Sequence, residues 1–187
     1  IPVSLKVAAD YVGRKDYTGA VSVLKSLELK HPDSVEIKLL LGSVYQAQGN
    51  QDEAIRSFRS VIGRSPEHPD GYIRLATLWA MEFDARKTMA VIREGLRHVK
   101  NPLPLIEFSE SVGRLFVAGK EFVGAIPFFE LVLGYRSDDD AVREALVRCY
   151  VAGGQERKAL EELGRLEKKT TDNPQVALEL GELFEML

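Results

Sequence analysis

A single cysteine, Cys149, stands in 187 residues, so no internal disulfide can form and no thiolate cluster can hold a metal. Such a chain suits a reducing, intracellular compartment, yet a helical chain folds without staples anywhere, and the compartment is left open. No sign of charge dominates: 25 basic residues against 28 acidic ones give a formal net charge of −3, and the two signs are interspersed. That balance lacks the basic stripe of a nucleic-acid-binding domain and the polybasic cluster of a membrane-surface anchor. No nucleic-acid partner and no direct membrane insertion are expected. Long apolar runs are also missing. The longest, Phe122 to Tyr135, contains Pro127 and Glu130; it is too short to cross a bilayer and reads as a core helix. No charged segment precedes an apolar run at the start, so no secretory signal is expected. A start at Ile1 rather than Met is expected of a piece cut from a longer chain. The apolar fraction of 45% is that of an ordinary soluble domain.

What the sequence does contain is a repeat. Tyr11, Ala20, Leu24 and Pro32 recur 34 residues later as Tyr45, Ala54, Phe58 and Pro66. The same step reaches Trp79, Thr88 and Ile92. Three additional residues, Leu103 to Leu105, shift the frame before Phe116, Ala125 and Phe129 resume it, and Tyr150, Ala159 and Leu163 follow. Leu180, Gly181 and Phe184 match Leu41, Gly42 and Tyr45. In the unit from Val35 to Ser65, Leu41, Gly42 and Tyr45 share one face of a first helix, and Ala54, Phe58 and Val61 share one face of a second. Gly49 and Asn50 break the pattern between them, Gln51-Asp52-Glu53 places acids in a first turn, and Pro66 ends the second helix. A small-residue column, Ala8, Gly42, Ala76, Gly113 and Gly181, lies where two helices cross closely, with Ala20, Ala54, Ala125 and Ala159 opposite.

This pattern resembles the tetratricopeptide repeat over essentially the whole chain. The second unit is the best match, with Leu41, Gly42, Tyr45, Ala54, Phe58 and Pro66 at signature positions; its departure is Lys38, where the family often has Trp. The resemblance implies an all-α, right-handed superhelical array of helical hairpins in one repeat domain over 1–187. Its units fall at about 1–34, 35–68, 69–102, 106–139 and 140–173, with a terminal helix at 174–187. Departures are Val147 in the small column, Thr88 for Ala, and Pro102, displaced from its helix-ending place. Pro127 falls inside a second helix, which should kink or start late. The stretch from Arg97 to Pro127 is expected to be the least regular.

Catalytic patterns are missing as well. No glycine loop cradles phosphate, no nucleophile elbow is present, and no His pair has metal-binding spacing. His31, His68 and His98 fall near the ends of second helices, as solvated or carbonyl-capping groups. Cys149 reads as a buried, inert thiol. In the run Asp138-Asp139-Asp140, Ser137 or Asp138 is expected to cap the next helix, with the remaining acids complementing its N-terminus; a cation site or binding patch is the other reading. No enzyme activity, cofactor or metal is expected.

In the family that the chain resembles, first helices line a concave groove that takes peptides or partner helices. The inward columns are those of Leu5, Ala9 and Val12. They continue as Leu39, Ser43 and Gln46, then as Ile73 and Thr77 with Arg74 beside them. Farther on they read Glu110 and Arg114, then Glu144 and Arg148. The N-terminal half is apolar or small, whereas the C-terminal half repeats Glu and Arg four apart, either as intrahelical ion pairs or as a ledge for a partner's acidic groups. Some relatives clamp a terminal carboxylate; here those columns read Leu5, Ala9, Leu40, Asp70 and Arg74, and no such clamp is expected. The expected function is a protein–protein interaction scaffold, an adaptor holding a protein or peptide in its groove. The alternative is the repeat region of a larger enzyme or secretion and assembly machine whose activity lies elsewhere.

Overall fold

The computed structural model describes residues 2–167. Among them run ten α-helices and no strand. They are α1 (Pro2–Gly13), α2 (Tyr17–Lys30), α3 (Val35–Ala47), α4 (Gln51–Arg64), α5 (Pro69–Met81), α6 (Ala85–Leu96), α7 (Leu103–Ala118), α8 (Phe122–Tyr135), α9 (Asp140–Ala152) and α10 (Glu156–Glu167). The terminal helix expected at 174–187 lies outside the described residues.

Short polar side chains start these helices where the sequence breaks its periodicity. Asp16 accepts from the Gly19 amide at 2.8 Å, Ser34 from Ile37 at 3.3 Å, and Asn50 from Glu53 at 3.4 Å. Each such cap contributes about 1 kcal/mol. Before α9 the cap is Asp139, which accepts from Val142 at 3.1 Å. That moves the expected cap from Ser137 or Asp138 to the next residue, because Asp140 is already helical. The turn inside each hairpin carries one residue with positive φ: Lys15, Gly49, Phe83, Lys120 and Gly154. Gly49 and Gly154 adopt this geometry without a Cβ penalty. Phe83 adopts it at φ 55° with its ring edge-on to Phe116, centroids 5.3 Å apart. The ring also lies over Gly119, where an added Cβ would meet it at 2.5 Å.

The expected irregular stretch is much shorter than 97–127. Only residues 97–102 and the hairpin turn at 119–121 leave helical geometry. The three frame-shifting residues simply lengthen α7 to 16 residues, with Pro104 in its first turn, where no backbone donor is needed. Pro102 does not end α6, which stops at Leu96. Nor does Pro127 delay α8, which begins at Phe122 and continues through it. His68 sits before α5 rather than at the end of a second helix.

The described chain forms two compact units. One comprises the residues up to Glu82 together with Arg86–Pro102; the other comprises Phe83–Ala85 with the residues from Leu103 on. In the first, α1 to α5 pack each on the next and α3 also touches α5. In the second, α7 packs on α8, α8 on α9, and α9 on α10.

Size matching at the helix crossings explains the small column. A Cβ on Gly42 would lie 2.3 Å from the Phe58 ring, and one on Gly113 would lie 2.7 Å from Phe129. Where the small position holds Ala8, Ala76 or Val147, the residue at the matching second-helix position is the slimmer Leu24, Ile92 or Leu163, and all are buried. Val147 is therefore an adjusted pair rather than a fault in the repeat. Ala20, Ala54, Ala125 and Ala159 are completely buried.

Another column carries buried polarity: Lys38, Tyr72, Ser109 and Arg143. Each sends its polar end to a fixed acceptor. Lys38 Nζ donates to Glu28 at 2.6 Å, Tyr72 Oη to the Pro66 carbonyl at 3.1 Å, and Ser109 Oγ to the Leu105 carbonyl at 2.7 Å. Arg143 donates to the Glu162 carboxylate and to the Ser137 carbonyl. At two of these four positions, Lys38 and Arg143, a long cation stands where the family often has Trp, its stem filling the space while its head finds a carboxylate.

Candidate functional site

Within the first unit, α1 and α3 enclose a hollow of about 240 Å³. Leu5, Ala9 and Val12 line it from α1, and Leu40, Val44 and Ala47 from α3. Ser43 is its one polar lining residue, and the hydroxyl is already donated to the Leu39 carbonyl at 3.0 Å. The helical step of three and four residues puts these side chains on one face, and their small size keeps it concave.

Leu40 and Ser43 also border a second hollow of about 400 Å³ between α3 and α5, with Val35, Glu36, Leu39, His68, Asp70 and Arg74 around it. His68 Nδ1 stands 3.6 Å from the Asp70 carboxylate. The two hollows thus share a rim. Gln46 lies apart from them, lining a third of about 190 Å³ and donating to Met81 Sδ at 3.4 Å. Ile73 and Thr77 are half-buried, and the Thr77 hydroxyl donates to the Ile73 carbonyl at 2.7 Å.

In the second unit the two Glu–Arg steps differ. Arg114 donates through two nitrogens to one oxygen of Glu110, at 3.0 and 2.9 Å. The other Glu110 oxygen accepts from Arg136, which lies 3.4 Å from Asp139. Arg148, by contrast, is exposed and makes no ion pair among the described residues, while Glu144 is half-buried. Identical spacing gives a four-member ion cluster at one repeat, Arg114, Glu110, Arg136 and Asp139, and a freely presented guanidinium at the next.

That cluster sets a pH response. The hydrogen bond from Arg136 lowers the Glu110 pKa, overcoming the opposing effect of burial, and Arg114 lowers it further. A carboxylate with a depressed folded-state pKa stabilises the fold above its unfolded pKa and loses that contribution as pH falls through the folded value. Glu110→Gln is therefore expected to lower Tm at neutral pH and to change it progressively less as both proteins are titrated toward pH 3. An undiminished Tm gap at low pH would remove the carboxylate charge from the account.

Chemistry is sparse. Burial pushes the Cys149 thiol up to about 11, leaving it protonated and unreactive. Burial first, and then the hydrogen bond to Glu130 at 2.6 Å, hold the Tyr150 phenol well above its ordinary range. Among the described residues no three His, Cys, Asp or Glu side chains gather in a way that could hold a metal ion. No described helix is long and apolar enough to cross a membrane.

Several of these features escape sequence periodicity. Leu40 stands at a clamp column, and the structure makes it, with Ser43, the shared rim of two hollows. Arg136 belongs to no groove column, but it binds Glu110 across 26 residues. Arg143 was foreshadowed only by the departure at Lys38, one member of its column.

Two family models, each described as tetratricopeptide repeat, match residues 8–76 and 116–180, most of the chain between them. No curated protein matches the sequence. Among solved structures, a crystal structure of MamA protein aligns with a TM-score of 0.58 at 16% identity, covering 92% of this chain and 94% of that one. A tetratricopeptide repeat protein from Parabacteroides merdae aligns with a TM-score of 0.59 at 18% identity, covering 99% of this chain and 72% of that one. At such identities the likeness establishes the fold, an all-α array of helical hairpins of the solenoid type. Repeats of this kind are protein-interaction scaffolds that bind proteins or peptides. With its 34-residue columns, its size-matched helix crossings and both family matches in agreement, this chain belongs to the tetratricopeptide repeat family.

Proposed function

We propose that the chain is a scaffold, with no catalytic centre of its own, that holds an apolar peptide or partner helix along its first helices. The supporting observation is the α1–α3 hollow, whose lining has no charged side chain and no free hydroxyl. An aliphatic or aromatic side chain entering it would lose water without leaving a protein polar group unpaired. Leu39, Ser43 and Arg74 extend the surface toward α5, while Gln46, Ile73 and Thr77 contribute mainly as walls. In the second unit, Glu110, Arg114, Glu144 and Arg148 form the proposed polar ledge. Arg148 is the member presented to a partner's carboxylate, because Arg114 is held by Glu110.

The test fills the hollow rather than deleting it. Ala9 is exposed, so Ala9→Trp adds bulk without disturbing the core. Peptides selected from a random display library on the wild type should carry a large apolar residue and lose at least about tenfold in affinity for Ala9→Trp. Far-UV circular dichroism of the variant should be unchanged. Selected peptides that bind both proteins equally would sink the assignment of this hollow.

A further inference from the structure

The outward edge of each second helix can be compared repeat by repeat, because the small residue fixes the register. Thr18, Ser22, Ser26 and Lys30 form that edge in α2, and Asp52, Arg56, Ser60 and Arg64 form it in α4, all of them exposed. In α10 it reads Arg157, Glu161 and Arg165, again exposed. In α8 the same positions are Val123, Pro127, Leu131 and Tyr135. Val123 is 60% exposed and Tyr135 is 52% exposed, with Pro127 and Leu131 half-buried between them. The edge lies on the second helix, away from the groove columns. It is not a helix that has lost its core: Ala125, Phe128, Phe129 and Val132 fill the inner face. Glu130, beside the edge, is already satisfied by the Tyr150 hydroxyl at 2.6 Å and by Lys158 at 3.9 Å.

We propose that this edge is a self-association surface, on which α8 of a second copy lies antiparallel about a two-fold axis. A two-fold contact must be self-complementary, and this edge meets that condition in one register. Val123 then faces Tyr135 of the other copy, and Pro127 faces Leu131. The same register sets exposed Lys120, in the turn before α8, against exposed Asp138, in the turn after it, at both ends. A parallel pairing would oppose Lys120 to Lys120 and Asp138 to Asp138, so charge selects the antiparallel one. The apolar edge is about 18 Å long at the helical rise. A single helix edge of this length is a small contact beside the roughly 1,200 Å² that stable interfaces bury, so the dimer is weak.

Sedimentation velocity of the full chain from about 10 µM to about 1 mM tests this. The wild type should shift from monomer toward dimer across that range. Leu131→Glu should remain monomeric throughout, with unchanged circular dichroism. Lys120→Asp or Asp138→Lys alone should weaken the dimer severalfold, and the two together should restore it. Three results would overturn the proposal: a wild type monomeric at the highest concentration, a Leu131→Glu variant that associates as the wild type does, or a double charge exchange that fails to restore association. Peptide binding in the α1–α3 hollow is measured separately and does not depend on any of these outcomes.

Discussion

Glu162→Ala is expected to destabilise the protein by about 3–5 kcal/mol, the range for breaking a buried ion pair from one side. Arg143 is 5% exposed, and the side chain of Glu162 is 13% exposed. Removing the carboxylate strands a guanidinium that cannot lose its proton and has little access to water. Its second contact, to the Ser137 carbonyl, does not neutralise it. Arg165, 2.6 Å from Glu162 but 63% exposed, can turn to solvent and adds little. The companion experiment decides between a pair that stabilises and one that is merely tolerated. Replacing both members, as Arg143→Met with Glu162→Leu, should return stability to the wild-type level or above, because two apolar side chains of similar volume need no desolvation. Urea denaturation of the three proteins provides the comparison. A single substitution costing under about 1 kcal/mol would place the pair in the class of surface ion pairs.

That pair also shows where sequence reasoning reached its limit. Columns set by side-chain volume were legible because volume repeats: Ala20, Ala54, Ala125 and Ala159 occupy equivalent buried sites, and the fifth member, Thr88, is only slightly larger and equally buried. Helix starts were legible where one short polar side chain stands before an apolar period, as at Asn50, but only to within a residue where several stand in a row, as from Ser137 to Asp140. Polar partners were not, since they join elements whose separation depends on the packed structure. Arg143 reaches Glu162 over 19 residues, and Arg136 reaches Glu110 over 26. Neither interval is a helical or a repeat period.

The residues of the proposed groove divide along the same line. The family resemblance placed Leu5, Ala9 and Val12 in the inward columns, and the structure puts them in one hollow with Leu40. It could not separate Gln46 from Ser43, because which neighbouring helix each side chain meets depends on how α1, α3 and α5 approach one another. Nor could spacing distinguish Arg114 from Arg148; only the presence of a carboxylate oxygen within reach does so. The irregularity expected around the frame shift proved smaller for a related reason. Three added residues at a helix N-terminus extend it by most of a turn and leave the downstream face in register with α8.

The size-matched crossings give the second large effect, and the chain itself contains the control. Gly42→Ala is expected to cost about 2 kcal/mol, although alanine is the better helix former, because the new Cβ would meet the Phe58 ring at 2.3 Å in a core without room to move. Phe58→Leu alone should cost about 1–2 kcal/mol through the space it leaves. Together the two changes recreate the Ala8 and Leu24 combination that the first hairpin already uses. The double variant should therefore be more stable than the sum of the single losses predicts, with a favourable coupling of about 1–3 kcal/mol. Gly63, also in α4, has nothing within 4 Å of an added Cβ. Gly63→Ala should accordingly stabilise by about 0.5–1 kcal/mol, which separates crowding from any general effect of adding a methyl group. Additive losses in the Gly42 and Phe58 cycle would mean that ring and backbone adjust independently, and that the small column records helix proximity without setting it.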